Sequence, residues 1–391
     1  MNKLPKESKS FFVILVMYLA FISLGLPDGL LGIAWPFMSS KFDVPLDTLG
    51  ILLVCFTTGY LLTSSTNGQI LKLLSLGRLL MLSCLLTAFS LLTYALTDYW
   101  HFAIIASFFL GSGGGAIDSS INTFVASRFN ASTVNWLHAF YGVGATAGPL
   151  LVTFLLAHHY QWYHGYISVA IIQISLSVLF LFTQKYWQVA LQEEEHHSGA
   201  EYLQTLKLPI IWINMVIFFL YTGLEQGFGQ WVFTILTKSR GIAAEEAGLW
   251  TSTYWGSLTI GRIFSGIVLT KITVHKSIKA ALMGIVGGAF LITLDINNFS
   301  TLLGIIIIGL SNAPVFPSLI SVTPERVGKE HAATAIGVQI SAAMLGGSLL
   351  PGFAGLLSGE FGLEVITKVF AIAAVVLIVL YFVSTGKARN K

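Results

Sequence analysis

Long apolar runs separated by short polar connections recur along the whole chain. A bilayer core takes about 20 mostly apolar helical residues to cross. Measured against that length, the runs predict twelve spans at about 11–38, 47–71, 77–96, 101–127, 133–157, 164–183, 209–237, 245–270, 277–296, 300–322, 331–357 and 362–384. A transmembrane β-barrel would show alternating segments of roughly ten residues instead, and the runs do not alternate. The pattern predicts an all-α membrane protein with twelve transmembrane helices. The polar, basic stretch Met1–Ser10 precedes an apolar run too long for a signal-peptide core and without a small-residue cleavage site. That run reads as a retained first span.

The longest polar connection, about 184–208, divides six spans from six. The predicted organisation is an N-terminal six-helix bundle over 1–186, a cytoplasmic linker over 187–208 and a C-terminal six-helix bundle over 209–391. The linker contains Glu193-Glu194-Glu195-His196-His197, read as a solvated segment rather than a metal site because adjacent loop residues rarely converge on one ion. With the first span entering from the cytoplasm, 16 of the 21 Lys and Arg residues fall in cytoplasmic segments. Only Lys41, Lys238, Arg240 and Lys368 fall outside, and Arg262 lies within a span. The positive-inside rule therefore predicts a multi-pass protein of the plasma membrane, such as a bacterial inner membrane, with both termini cytoplasmic.

Composition supports the same class. Of 391 residues, 55% are hydrophobic and only 10% charged, against roughly 25% charged in an average soluble domain; the mean hydropathy is +0.78. Soluble globular, nucleic-acid-binding and disordered readings are excluded. The two cysteines, Cys55 and Cys84, fall in apolar stretches, which argues against a disulfide framework or a thiolate metal site. No nucleophile, metal-ligand set or cofactor motif accompanies the buried acids, so an enzyme is not expected.

The halves repeat at a nearly constant offset. Gly25-Leu26-Pro27-Asp28-Gly29 matches Gly223-Leu224-Glu225-Gln226-Gly227 at 198 residues, Gly68 matches Gly266 at 198, and Gly144 with Pro149 matches Gly346 with Pro351 at 202. A parallel repeat of six spans suits a transporter built from two similar bodies.

On these residues the chain resembles the major facilitator superfamily. Gly68-x-x-x-Lys72-x-x-x-x-Gly77-Arg78 is similar to its signature loop between spans 2 and 3, with Leu71 where an acidic residue is usual. Gly142-Val143-Gly144-Ala145-Thr146-Ala147-Gly148-Pro149 resembles its bent span-5 motif. Within the superfamily, Gly25–Gly29, Asp118-x-x-x-Asn122-Thr123 and Asn135-Trp136-Leu137-His138-Ala139-Phe140-Tyr141-Gly142 resemble the fucose:proton symporter branch, which includes hexose permeases and sodium-dependent glucose transporter-like proteins. The resemblance implies two six-helix bundles related by a pseudo-two-fold axis, with spans 1, 4, 7 and 10 around a central cavity. It also implies acids in spans 1 and 4 that serve sugar recognition and cation coupling, and a protein that works as a monomer.

Ionisable groups within a span are costly unless they face a cavity or a partner. Asp28 follows Pro27, expected to bend the first helix, and shares a face with Trp35; the pair reads as a sugar contact or as a structural carboxylate. Asp118 and Asn122 lie one turn apart after the glycine run 111–115, which permits close helix approach. They are the expected coupling residues together with Asp28, for H⁺ in the favoured reading and for Na⁺ in the alternative. Gln226 and Gln230 share a face and suit hydroxyl-rich ligands. Asn135, His138, Trp231, Trp255, Asn312 and Gln339 are further candidates for the polar or stacking lining. Glu225 is expected to pair with Arg262, a structural or gating charge, as are Lys72 and Arg78. His158, His159 and His164 read as solvated interface residues. The resulting expectation is a secondary transporter carrying a neutral sugar, such as a hexose, inward with a cation by alternating access. An exporter of amphipathic compounds and a non-transporting sensor on the same fold are the competing readings.

Overall fold

A computed structural model describes residues 6–129, 131–187, 199–268 and 272–388, with some side chains inside those ranges left undescribed. The described residues are almost wholly helical. The helices are α1 (Lys6–Lys41), α2 (Leu49–Leu73), α3 (Leu76–Leu96), α4 (Trp100–Arg128), α5 (Ala131–Ala157), α6 (Tyr163–Thr183), α7 (Gly199–Leu206), α8 (Pro209–Thr234) and α9 (Ala244–Val268). They continue as α10 (Val274–Leu294), α11 (Asn298–Asn312), α12 (Val315–Ser321), α13 (Thr323–Val327), α14 (Lys329–Phe361) and α15 (Val365–Ala388). The chain is an all-α membrane protein.

Among the described residues, 11 helical segments are long and apolar enough to cross a membrane. The remaining expected span, the eighth, is α9. Its 25 residues suffice in length, but it opens on Glu245 and Glu246, carries Arg262 and is rich in Ser and Thr. The tenth span is broken where one helix was expected: α11 ends at Asn312 and α12 starts at Val315. Pro314 lacks an N–H and its ring clashes with the preceding turn. Pro27 and Pro36, in contrast, lie inside one continuous α1. Part of the expected linker is helical as α7, and Thr205 Oγ1 lies 2.9 Å from His331 Nδ1 of α14. The Glu193–His197 cluster lies outside the described residues.

Two compact units partition the chain, the first comprising Met1–Val44 and Cys55–Gln192, the second Pro45–Val54 and Glu193–Lys391. In unit 1 the buried core gathers Val16, Phe21, Leu80, Ile117, Phe124 and Phe180. Its α1 and α5 cross backbone to backbone. A Cβ added to Gly144 would sit 2.0 Å from the carbonyl oxygen of Ile22, and one added to Gly25 would sit 2.2 Å from that of Tyr141. Unit 2 repeats the crossing with α8 and α14, where a Cβ on Gly346 would sit 2.0 Å from the carbonyl oxygen of Phe219. The repeated glycines therefore mark the same close crossing in each unit. The described residues do not include the surroundings of Gly266.

A second correspondence lies at the helix ends. In unit 1, Lys41 at the end of α1 donates to the carbonyl of Ala95 at 3.1 Å and pairs with Asp98 at 3.4 Å. In unit 2, α8 continues through a single π-helical turn, Ile235–Ser239, to Arg240. Arg240 Nη2 donates to the carbonyl of Ile292 at 2.8 Å, and Nη1 lies 2.9 Å from Asp295 Oδ1. The three positions are offset by 197 to 199 residues between the units. Each unit thus clips the end of its first helix to the end of its third. Arg240 goes further, with Nε and Nη2 on the two oxygens of Glu364 at 2.9 and 2.8 Å and Nη1 on Thr301 at 3.1 Å.

Candidate functional site

In unit 1 the glycine run of α4 decides what meets Asp118. A Cβ on Gly111 would lie 1.9 Å from the carbonyl oxygen of Phe56, and one on Gly115 would lie 2.5 Å from that of Tyr60. Residues 111, 115 and 118 share a helical face, so the approach of α2 that needs the glycines also delivers Tyr60 to Asp118. The Tyr60 hydroxyl donates to Asp118 Oδ2 at 2.5 Å, and Asn122 Nδ2 donates to Oδ1 at 3.0 Å. The crossing of α1 and α5 does the same for Asp28, three residues beyond Gly25, whose Oδ2 accepts from Tyr141, three residues before Gly144. Both acids are half-buried and lie within electrostatic reach of each other. His138 acts electrostatically on Asp118; its exposed ring packs edge-on against Phe21 at 5.7 Å.

Unit 2 holds its acid differently. Glu225 is 6% exposed; its Oε1 accepts from Arg262 Nη2 at 3.1 Å and its Oε2 from Tyr221. The Tyr254 hydroxyl donates to the Glu225 carbonyl at 2.6 Å and accepts from Asn312 Nδ2 at 3.2 Å. The ion pair expected between Glu225 and Arg262 is present. Gln226, the counterpart of Asp28 at the repeated crossing, is half-buried beside Gly347, and Gln230 is buried.

Two of the expected lining residues, Trp35 and Trp231, take up structural positions. Trp35 was expected to share a sugar contact with Asp28, but seven residues carry it about 10 Å along the helix. Its indole is wholly buried, with its centroid 6.0 Å from that of Trp100. Trp231 is equally buried and donates to the carbonyl of Pro351 at 3.0 Å, which makes it a strut between α8 and α14 rather than a stacking surface. Gln339 is buried, with Oε1 3.0 Å from Thr323 Oγ1. Trp255 packs against Gly229 and Tyr254. Lys72 and Arg78 are exposed and pair with no described residue. The side chain of Asn135 lies outside the described residues.

Some polar atoms at buried positions of unit 2 have no hydrogen-bond partner among the described residues: Trp255 Nε1, Asn312 Oδ1, Thr222 Oγ1 and Gln339 Nε2. They mix donors with acceptors and carry no net charge. Tyr60, Tyr221 and Tyr254 do not stand out in the sequence as site residues, and Tyr141 does so only as part of a motif. The signal for all four was a phenol within an apolar run, since a buried Tyr hydroxyl usually finds a partner.

Comparison with known proteins places this geometry in a family. The family model of the Major Facilitator Superfamily matches residues 17–351 and 232–391. The chain is similar to the glucose/mannose transporter GlcP of Bacillus subtilis (strain 168), at 23% identity over 372 residues, covering 92% of each chain. Among solved structures it is similar to a variant of the nucleoside transporter NupG, with a TM-score of 0.81 at 14% identity, covering 94% of this chain and 98% of that one. It is also similar to a variant of the E. coli fucose:proton symporter FucP, with a TM-score of 0.64 at 15% identity, covering 95% and 98%. The chain belongs to the Major Facilitator Superfamily, whose members are membrane transporters and not enzymes.

Proposed function

We propose that the chain is a secondary active transporter that takes up a neutral sugar, such as a hexose, together with H⁺ by alternating access. The observation that carries this reading is the contrast between the acids of the two units. Glu225 is neutralised by Arg262, whereas Asp118 is held by the Tyr60 hydroxyl and the Asn122 amide, with the titratable His138 acting on it electrostatically. Such donors orient a carboxylate without cancelling its charge. A coupling cation on Asp118 removes the cost of carrying that charge through a closed state.

H⁺ is taken as the coupling ion because one proton can neutralise Asp118 with its contacts from Tyr60 and Asn122 in place. A neutral, hydroxyl-rich solute is supported by the half-buried Gln226, whose amide both donates and accepts hydrogen bonds. A glucose/mannose transporter among the relatives supports the same class. Asp28 and Gln226, at corresponding crossings, are assigned to substrate contact. The Lys and Arg distribution supports a plasma-membrane protein with both termini cytoplasmic, and the working unit is taken as a monomer.

The test is uptake into proteoliposomes with pH and Na⁺ gradients imposed separately. Glucose, mannose and fucose are compared with nucleosides and a lipophilic cation. An acidic outer compartment is expected to drive sugar accumulation in the absence of Na⁺. Accumulation driven only by Na⁺ replaces the ion; export of the lipophilic cation replaces both solute and direction; no flux of any solute defeats the reading.

A further inference from the structure

A second polar cluster lies at one end of unit 2, where α8 and α10 begin, α15 ends and α13 joins α12 to α14. Arg326 of α13 donates through Nη1 to Asn214 Oδ1 of α8 at 3.2 Å, and its guanidinium lies over the Tyr381 ring of α15 at 5.1 Å. The Tyr381 hydroxyl is 3.1 Å from His275 Nδ1, and His275 Nε2 is 3.6 Å from Glu325 Oε2.

Two atoms of this cluster are left open. Arg326 Nη2 and Asn214 Nδ2 are both shielded from solvent and have no hydrogen-bond partner among the described residues. Asn214 is only 2% exposed. Its amide cannot be turned over to relieve this, because the NH₂ would then face a guanidinium N–H. Both open groups are therefore donors. Among the described residues the guanidinium makes no ion pair within 4 Å: Glu325, its neighbour in sequence, and Tyr381 act on it electrostatically, but Glu325 is aimed at His275 and is 72% exposed. Burial holds the Arg326 pKa below the ordinary guanidinium range.

A half-buried cation with an open N–H beside a buried open amide calls for an acceptor carrying negative charge. A water molecule would accept from both groups but leave its own hydrogens facing a positive site. An anionic oxygen accepts from both and supplies the missing charge. Lys207, Lys276 and Lys279, with Arg326, outnumber Glu325 and Glu330 at the same end of the unit, and this positive balance favours a phosphate over a singly charged carboxylate.

We propose that this end of unit 2 binds a phosphate group through Arg326 Nη2 and Asn214 Nδ2, carried either by an anionic phospholipid headgroup or by free phosphate. The site is separate from the acids assigned to coupling and does not depend on which solute is transported.

The full chain is purified in maltoside micelles, which contain no phosphate, and its thermal unfolding midpoint is followed in two arms. One titrates inorganic phosphate against chloride at constant ionic strength; the other adds phosphatidylglycerol, with phosphatidylcholine as the zwitterionic control. The midpoint is expected to rise in at least one arm. Half-saturation should move about tenfold higher in Arg326→Gln and in Asn214→Ala, as the loss of a charge-assisted hydrogen bond implies. If Arg326→Gln does not fold, Asn214→Ala carries the comparison. A rise with inorganic phosphate identifies a soluble ligand, and a rise with phosphatidylglycerol alone identifies a lipid. No rise in either arm, or equal half-saturation in wild type and the folded variants, overturns the proposal.

Discussion

Replacing Arg240 with alanine removes the clip that joins three connections of unit 2. The Arg240 side chain is 6% exposed, and all its donor directions are used. Three contacts go to carboxylate oxygens of Glu364 and Asp295, one to the Thr301 hydroxyl and one to the Ile292 carbonyl. Removing one partner of a fully buried pair costs about 3–5 kcal/mol. Here Glu364 and Asp295 are 37% and 45% exposed, so water partly takes over their solvation, and the expected loss falls to about 2–4 kcal/mol. For a unit of this size that corresponds to a fall of roughly 5–15 °C in the unfolding midpoint.

The matching substitution in unit 1, Lys41→Ala, is the internal control. Lys41 contacts one carbonyl, the 81% exposed Asp98 and the rings of Phe42 and Trp162, and its loss is expected to cost about 1 kcal/mol. The assay is tryptophan fluorescence during heating in a single detergent. Acid supplies a second readout. Burial raises the Glu364 pKa, but hydrogen bonds from Arg240 and Ser239 outweigh it and hold the group below its usual 4.5. A carboxylate with a depressed folded-state pKa stabilises the fold fully above the unfolded value and progressively less as pH falls through the folded one. The gap between wild type and Arg240→Ala is therefore constant near neutrality and narrows below about pH 4.5. Equal small losses for Arg240→Ala and Lys41→Ala, or a gap that widens in acid, would refute the reasoning.

Two further outcomes follow from the packing of the units. Arg262→Gln leaves Glu225 as a buried, uncompensated charge and is expected to cost about 3–5 kcal/mol; Arg262→Gln combined with Glu225→Gln should recover most of it, as thermal unfolding of the single and double variants will reveal. Gly346→Val and Gly144→Val each force side-chain atoms onto a carbonyl that even a Cβ would approach to 2.0 Å. Each should lose at least about 1–3 kcal/mol, whereas the same change at Gly337, where a Cβ would meet nothing within 4 Å, should leave the unfolding midpoint nearly unchanged.

The fold was readable because a bilayer demands long apolar helices, and their runs stand out in the chain. The exceptions have local causes. The Ser, Thr and charged residues of α9 dilute its apolar signal, and the break before α12 required weighing Pro314 against an otherwise unbroken run. The acids of the candidate site were visible as charges in apolar segments. Their tyrosine partners were not, because a phenol counts as hydrophobic until a neighbouring helix brings a carboxylate to it. Trp35 and Trp231 show the converse: an indole on a plausible face says nothing about what covers it. In the sequence Lys41 and Arg240 read only as outer charges; their matched roles depend on each first helix ending beside the third.

Asp118 is the residue on which the proposed coupling rests, and Asp118→Asn in proteoliposomes tests it most directly. The neutral amide mimics the protonated acid, so exchange of labelled sugar for unlabelled sugar across the membrane should persist. Accumulation against a gradient under an imposed pH difference should vanish. Full pH-driven accumulation by Asp118→Asn would contradict the account.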